Sequence, residues 1–344
     1  MTCELCNPKT IGYTIYFSNE QRMDLLVKYF TDYPKTTWQK LNERMFWALE
    51  PVLFDLMDYV QTHMDAEAIY AVKADKEDPM RDLNKLKPIK SFQSEREASW
   101  IDAIIQKKSI RTHYQPIVKM LDHEVHIVGN ELLSRGIDDQ GQLIAPFHLF
   151  EAARKRNRLF ALDRLCRLES IKNAAPVADR LIFINFIPTS IYVPEHCLAT
   201  TFAAIQRAGI RPEHVVFEVV ETDKVDDMAH LLSILDYYRT HGVKYALDDV
   251  GTGFNDLELL ARMQPDFVKL AREFADGVSV DAEKQKVARN VMRLAHKVGA
   301  LALAEGIEQA SDLRYLQEMG YDLFQGYLFG KPDATPIKQV HAIQ

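Results

Sequence analysis

The feature that most constrains the fold is the alternation of short β-rich runs with helical segments in the C-terminal two-thirds of the chain. Segments such as Met228–Arg239 and Glu283–Val298 repeat their apolar residues at helical spacing. Alternating strands and helices predict a parallel sheet, and eight strands within about 250 residues predict a β/α barrel. The eight runs are His113–Met120, Val125–Leu133, Leu181–Phe186, Val215–Val220, Lys244–Leu247, Phe267–Leu270, Ala300–Ala304 and Leu323–Phe329.

The connection between the first two runs departs from the pattern of a regular barrel. Only Leu121–Glu124 separate them, whereas a parallel crossover needs roughly a dozen residues and a hairpin as few as two. The first strand is therefore expected to run antiparallel to the second. We predict an α/β fold, a modified TIM (β/α)8 barrel with its first strand antiparallel.

The N-terminal third has a different pattern. Asn19–Tyr33 and Thr36–His63 carry apolar residues at helical spacing, and Lys73–Phe92 is charged and contains two prolines. We therefore predict a small, mainly helical domain over residues 1–92, with a linker at about 73–92, followed by the barrel over residues 93–344. Dimerisation or regulation through the helices is the expected role of the first domain.

The composition restricts the class of protein. A net charge of −7 argues against a broad nucleic-acid-binding surface, so no DNA or RNA partner is expected. The richest apolar stretch, Met45–Val60, is interrupted by acids and a proline, so we predict no membrane span. Cys3 and Cys6 lack the further ligands that a zinc site needs. With no signal sequence and four cysteines, the expected protein is reduced and cytoplasmic.

Two adjacent aspartates, Asp248 and Asp249, stand where an apolar run ends and the glycine turn Gly251–Gly253 begins. Neighbouring side chains in a strand point to opposite faces, but this alternation relaxes at a strand end. Both carboxylates can then converge, and two close like charges repel unless a cation lies between them. The pair is therefore a candidate for metal binding.

Other polar residues stand at the ends of the predicted strands. They are Glu131, Asn185, Glu218, Glu221, Lys269, Glu305, Glu308 and Gln325. Any one could be a cap or a loop ion pair, but in a barrel the strand ends converge on one rim. Divalent ions with oxygen ligands, Mg²⁺ or Mn²⁺, would relieve the repulsion among so many carboxylates.

Two such ions about 3.5–4 Å apart form the usual clamp for in-line phosphoryl displacement. Asp248 could bridge them, and Lys269 could orient the nucleophile or offset the charge that develops on the phosphorus centre. Arg135, shortly after Glu131, is placed to hold a phosphate oxygen.

At these residues the chain resembles the EAL family of cyclic di-GMP phosphodiesterases, over about Ser94–Pro332. The matching motifs occur in the family's order. They are Tyr114–Ile117, Glu131–Leu133 with Arg135, Phe183–Asn185, Phe217–Glu221, Asp248–Gly253, Asp266–Lys269, Ala304–Glu308 and Gln325–Leu328. The resemblance implies a bacterial signalling enzyme that hydrolyses cyclic di-GMP to the linear dinucleotide with Mg²⁺ or Mn²⁺, and a homodimer.

The resemblance also implies roles for single residues. Glu305 would be a further metal ligand or the general base, and Lys269 and Gln325 would position water. Glu221 would anchor the loop after Asp249, and Glu308 would support the site from behind. Gln115 and Arg135 would contact guanine and phosphate. The implied metal ligands are Glu131, Asn185, Glu218, Asp248 and Asp249.

The chain departs from the family's pattern at a few positions. Leu132 replaces a small residue and is expected to affect packing, Gly136 stands where a tryptophan is usual, and Val250 replaces a phenylalanine. Phe254–Asp256 also differ, in a loop that couples the metal site to the dimer interface in the family. A catalytically weak or inactive receptor for cyclic di-GMP is therefore the alternative to an active phosphodiesterase.

Overall fold

The computed structural model describes residues 10–18, 28–63, 66–122, 124–188, 191, 193–220, 228–251 and 257–340. The chain divides into two compact units, Met1–Trp100 and Ile101–Gln344. None of the described helices is long and apolar enough to cross a membrane.

The first unit contains an antiparallel sheet of five strands with the order β2-β3-β1-β4-β5. Its core is rich in aromatic side chains, and Phe30 stacks on Phe46 with ring centroids 4.8 Å apart. The elements are β1 (Ile11–Phe17), β2 (Trp38–Asn42), β3 (Met45–Ala48), α1 (Glu50–His63), β4 (Ile69–Asp75), β5 (Lys87–Pro88) and α2 (Gln93–Glu97).

The prediction that this region is mainly helical is wrong. The predicted helix Thr36–His63 contains β2 and β3, and only its second half is helical. A short apolar run is compatible with the spacing of a helix and with that of a strand. Here the run forms a strand because β3 pairs antiparallel with β1, which is distant in sequence. Asn42 closes the β2–β3 turn by accepting a hydrogen bond from the Arg44 amide at 2.8 Å. Of Asn19–Tyr33, residues 19–27 lie outside the described part, and residues 28–31 are helical.

The predicted linker Lys73–Phe92 is also wrong, because this segment belongs to the folded unit. β4 continues to Asp75, β5 pairs antiparallel with β4, and Ile89 and Phe92 are buried in the core. Charged residues and prolines are tolerated in this segment because it forms turns and an edge strand, where few backbone groups take part in hydrogen bonds between strands.

The second unit is a closed barrel whose sheet has the order β6-β14-β13-β12-β11-β10-β9-β7-β8. β6 closes the ring by pairing antiparallel with both β7 and β14, and the pairs from β7 through β9 to β14 are parallel. This confirms the predicted modified barrel with its first strand antiparallel. The strands are β6 (Ile110–Leu121), β7 (Glu124–Ile137), β8 (Leu143–Ile144), β9 (Leu181–Phe186), β10 (Val215–Val220), β11 (Lys244–Val250), β12 (Phe267–Leu270), β13 (Leu301–Ala304) and β14 (Leu323–Gln325).

The main core of the second unit joins the outward side chains of the strands to the helices that surround them. A smaller apolar cluster fills the barrel interior. The helices are α3 (Trp100–Lys107), α4 (Pro146–Lys155), α5 (Leu159–Lys172), α6 (Pro194–Cys197), α7 (Ala199–Arg207), α8 (Met228–Thr240), α9 (Leu257–Met263), α10 (Arg272–Ala275), α11 (Ala282–Lys297) and α12 (Ala310–Met319).

Candidate active site

The barrel interior consists of an apolar layer and a polar layer that lie two residues apart on the same strands. The apolar layer is Ile117, Phe183, Val216, Ala246, Phe267, Leu303 and Leu323. Side chains two residues apart on a strand point to the same face, so the next inward position on each strand lies at one end of the barrel. Those positions are Gln115, Asn185, Glu218, Asp248, Lys269, Glu305 and Gln325, and Glu131 joins them from β7.

Lys269 is at the centre of the polar layer. Its ammonium group pairs with the carboxylates of Glu218 and Glu305 and lies 3.0 Å from Oδ1 of Asp248. Burial disfavours the charged ammonium, but the surrounding carboxylates outweigh it and hold the pKa of Lys269 well above its usual range. The lysine is therefore a fixed positive charge in the described site.

Two side-chain amides hold Glu131. Asn185 Nδ2 donates to Oε1 at 2.7 Å, and Gln325 Nε2 donates to Oε2 at 2.6 Å and to Gln115 Oε1 at 3.1 Å. Burial favours the neutral acid, but the charge of Lys269 and these two donors lower the pKa of Glu131 below its ordinary value. The Asn185 amide nitrogen is directed at Glu131, which leaves its oxygen as a possible metal ligand.

The two adjacent aspartates converge on one point, as the sequence suggested. Asp249 has a φ of 55°, a left-handed conformation that aspartate tolerates better than most residues. The turn breaks strand alternation, and ligand atoms of Asp248, Asp249 and Glu305 lie within 4.8 Å of one another. Burial and then the charge of Asp248 raise the pKa of Asp249.

A second group of ligand atoms within 4.8 Å comes from Glu131, Glu218 and Glu305. Both side-chain oxygens of Glu218 are buried, and Oε1 pairs with the Lys269 ammonium. Burial, and then the charge of Glu131, raise the pKa of Glu218 well above its ordinary value. Because Lys269 is shared among three carboxylates, its one positive charge does not balance theirs, and a further cation would lower the cost of burying Glu218.

The net charge of the cluster indicates how many cations could bind there. Five carboxylates and one ammonium group leave four negative charges when all are ionised. Two divalent cations would neutralise this charge, and hard oxygen ligands suit Mg²⁺ or Mn²⁺. The residues present therefore fit a centre of two metal ions.

A cavity of about 350 Å³ opens beside Glu131 and Asn185. Phe147 lines it and is 72% exposed, and buried Asp163 contributes a carboxylate. Neither residue is predicted from the sequence, where the one indication for Phe147 is an aromatic residue directly after Pro146, in the segment that follows β7. Arg135 is only partly exposed, and its Nη1 donates to the Ser134 carbonyl at 2.9 Å.

Among the predicted residues that the structure describes, Glu308 is not part of the carboxylate cluster. Glu308 lies at the rim, where Oε1 accepts a hydrogen bond from Arg272 Nη2 at 2.7 Å, so its supporting role stays a prediction. Glu221 lies outside the described residues.

The structure shows what surrounds three of the positions where the chain departs from the family pattern. Leu132 and Val250 are buried in the main core outside the barrel, away from the polar layer. At Gly136 a Cβ atom would lie 2.7 Å from Leu149 Cδ2, so a larger residue there would require the Leu149 side chain on α4 to shift. Phe254–Asp256 lie outside the described residues.

Comparison with known proteins assigns the family. The EAL domain family matches residues 97–332. The chain is 26% identical over 243 residues to the bifunctional diguanylate cyclase/cyclic di-GMP phosphodiesterase MucR of Pseudomonas aeruginosa, covering 69% of this chain and 35% of MucR. It is 27% identical over 234 residues to the cyclic di-GMP phosphodiesterase NbdA of the same organism, covering 66% of this chain and 29% of NbdA.

A solved structure is also similar. The standalone versatile EAL protein of Vibrio cholerae O395, in its c-di-GMP bound form, is 31% identical with a TM-score of 0.59, covering 67% of this chain and 95% of that one. This chain is an EAL domain protein with a TIM-like barrel, and it belongs to the EAL domain family. It spans about a third or less of the length of MucR and NbdA.

Proposed function

We propose that this chain hydrolyses one phosphodiester bond of cyclic di-GMP to give the linear dinucleotide, with two divalent cations, Mg²⁺ or Mn²⁺. The observation that carries the proposal is the cluster of five carboxylates at one end of the barrel, whose negative charge exceeds the one positive charge of Lys269. The relatives named as cyclic di-GMP phosphodiesterases support the choice of substrate.

The proposed metal ligands are Glu131, Asn185, Glu218, Asp248 and Asp249, with Glu305 as a shared further ligand or the base. When bound, the cations would lower the pKa of a water molecule and neutralise charge on the phosphate and the leaving oxygen. The hydrogen bonds from Asn185 and Gln325 keep both oxygens of Glu131 in place. A ligand held in advance in this way loses little conformational entropy on binding.

Proton transfer and charge stabilisation are assigned to two residues. Burial raises the pKa of Glu305 to about 8, although the charge of Lys269 works against it. That value is for the cluster without cations; bound cations would lower the pKa, and the ionised carboxylate could then accept a proton from an attacking water at an Oε atom. Lys269, a permanent cation in the same cluster, would offset the negative charge that develops on the phosphate oxygens.

Substrate binding is assigned to the residues beside the cluster. Arg135 would hold a phosphate oxygen, and Gln115, which already accepts a hydrogen bond from Gln325, would meet a guanine edge. The cavity lined by Phe147 would receive one base, because an exposed aromatic ring offers a stacking surface.

The test is direct. The purified chain is incubated with cyclic di-GMP and Mn²⁺ or Mg²⁺, and nucleotides are separated by anion-exchange chromatography. We expect the linear dinucleotide, and no product after EDTA treatment. Binding of cyclic di-GMP without product under either metal would favour the receptor alternative, and absence of both binding and product would refute both functions.

We also propose a homodimer in which the first unit takes part in dimerisation or regulation. Strand β2 is an edge of its sheet and pairs only with β3 among the described strands, and edge strands readily accept a further strand. Light scattering coupled to size-exclusion chromatography should give twice the chain mass of 39.6 kDa. A mass equal to one chain across the working concentration range would contradict this proposal.

A further inference from the structure

A groove of about 620 Å³ lies on the outside of the barrel. Helix α5 forms its floor, and the C-terminal parts of α3 and α7 form its walls. It shares no lining residue with the cavity beside Glu131. This α5 groove is therefore a surface separate from the candidate active site.

The floor of the α5 groove combines apolar and basic side chains. Phe160, Arg164, Leu168 and Lys172 follow one another at intervals of four residues, so they form one stripe along α5. Leu165 is buried beside this stripe, whereas Phe160 is 38% exposed. The stripe extends over roughly 18 Å at 1.5 Å per residue.

The groove is lined by several cations that have no ionic partner within the described part of the chain. Lys108, Arg164 and Arg207 form no ion pair with any residue that the structure describes. The single acid among the lining residues, Glu169, is already paired with Lys172 at 3.1 Å. A chain of net charge −7 thus presents a locally positive groove, and an anionic occupant would satisfy it.

We propose that the α5 groove is a docking site for an acidic amphipathic helix of a partner protein. Such a helix inserts a stripe of apolar side chains into a groove of this kind and directs its flanking carboxylates at the cations on the border. The length of the α5 stripe suits about three turns of helix. Docking of this kind lies beyond the proposed hydrolysis and involves none of the residues assigned to it.

Two other occupants fit the groove less well. Sites for small polar ligands usually present convergent polar groups in their depth, whereas the deepest lining residues here, Leu165 and Ile171, are apolar. A membrane surface is met by apolar side chains that protrude between cations, whereas those of the α5 groove line a concavity.

The probe is a fluorescein-labelled helical peptide of about three to four turns, with leucines on one face and glutamates on both flanks. Fluorescence anisotropy with the full chain should give binding that weakens several-fold in raised salt. The variant Arg164→Glu/Arg207→Glu should bind roughly tenfold more weakly or worse, because attraction becomes repulsion. The matched control is Arg293→Glu on α11, an exposed residue outside the groove, which should bind as the wild type does.

The outcomes separate the possibilities. Equal binding of a peptide in which lysines replace the glutamates, or unchanged binding by the double variant, would overturn the proposal. Binding to phosphatidylglycerol vesicles without binding to the acidic peptide would also overturn it, in favour of a membrane surface. Circular dichroism confirms that each variant is folded, and cyclic di-GMP turnover should be unchanged in the double variant whatever the peptide does.

Discussion

The two layers of the barrel interior are built on the same strands but differ in polarity and charge. Phe183, Val216 and Phe267 fill the apolar layer, and two residues further along the same strands stand Asn185, Glu218 and Lys269. The apolar layer gains free energy from burial. The polar layer buries several carboxylates whose pKa values are raised and which share one ammonium group, and their burial costs stability. Side chains only two residues apart on one strand therefore have different roles. Those of the apolar layer stabilise the fold, and those of the polar layer are suited to bind cations.

The largest expected effect is the loss of turnover when the polar layer loses a carboxylate. Asp248→Ala or Glu131→Ala should lower the rate by roughly a thousandfold or more, which corresponds to about 4 kcal/mol of barrier. Far-ultraviolet circular dichroism should remain that of the wild type. Substantial activity in both variants would break the assignment of this layer to metal binding.

A mutation of the apolar layer should have the opposite result. Phe183→Ala leaves a cavity in the barrel interior and should lower the free energy of unfolding by about 3–5 kcal/mol, measured by urea denaturation. Asn185→Ala, two residues along the same strand, is the matched control. It should lower turnover and cost about 1–3 kcal/mol of stability, less than Phe183→Ala, because it removes one donor from the buried Glu131 carboxylate. If Asn185→Ala proved as destabilising as Phe183→Ala, the two layers would not be separable.

The metal-free protein should lose stability as the pH rises. Glu305 has an ordinary carboxyl pKa of 4.5 when exposed and a pKa of about 8 in the folded chain. Between these values the folded state holds a proton that the unfolded state has released, so the free energy of unfolding falls as pH increases. Urea denaturation in EDTA at pH 5 and pH 8 measures this fall, and Glu305→Gln should reduce it. An equal fall in wild type and variant would contradict the raised pKa.

The smallest expected effect is that of a substitution at Asn130, whose side chain lies on the outer face of β7. Asn130 precedes Glu131, is fully buried, and neither of its amide atoms has a hydrogen-bond partner among the described residues. Asn130→Leu should therefore be neutral or stabilising by up to about 1–2 kcal/mol, with turnover unchanged. A loss of turnover comparable to that of Glu131→Ala would place Asn130 in the active site. The distinction between the inner and outer faces of β7 would then be wrong.

The contrast also shows what the sequence could predict. The barrel strands and most of the polar layer were predictable, because short apolar runs alternate with helical segments and end in acids and amides. The central position of Lys269 among three carboxylates was not, since it depends on where neighbouring strands stop. The left-handed turn at Asp249 that makes the pair converge is likewise set by tertiary packing.

Prediction failed in the first unit for a related reason. The apolar spacing of Thr36–His63 fits a helix kinked or divided at Pro51 as well as it fits a hairpin followed by a helix. The decision between them came from the pairing of β3 with β1, residues far apart in sequence, and local patterns carry little information about such contacts. Phe147 was missed because a single exposed aromatic has no periodic signal at all.

The measurement that tests the central claim most directly is the number of Mn²⁺ ions bound per chain, determined by equilibrium dialysis of EDTA-treated protein. The charge of the polar layer predicts two ions for the wild type and weaker or fewer ions for Glu218→Gln and Asp248→Asn. A wild type that binds no Mn²⁺, or variants that bind it as the wild type does, would contradict a two-cation centre at the end of this barrel.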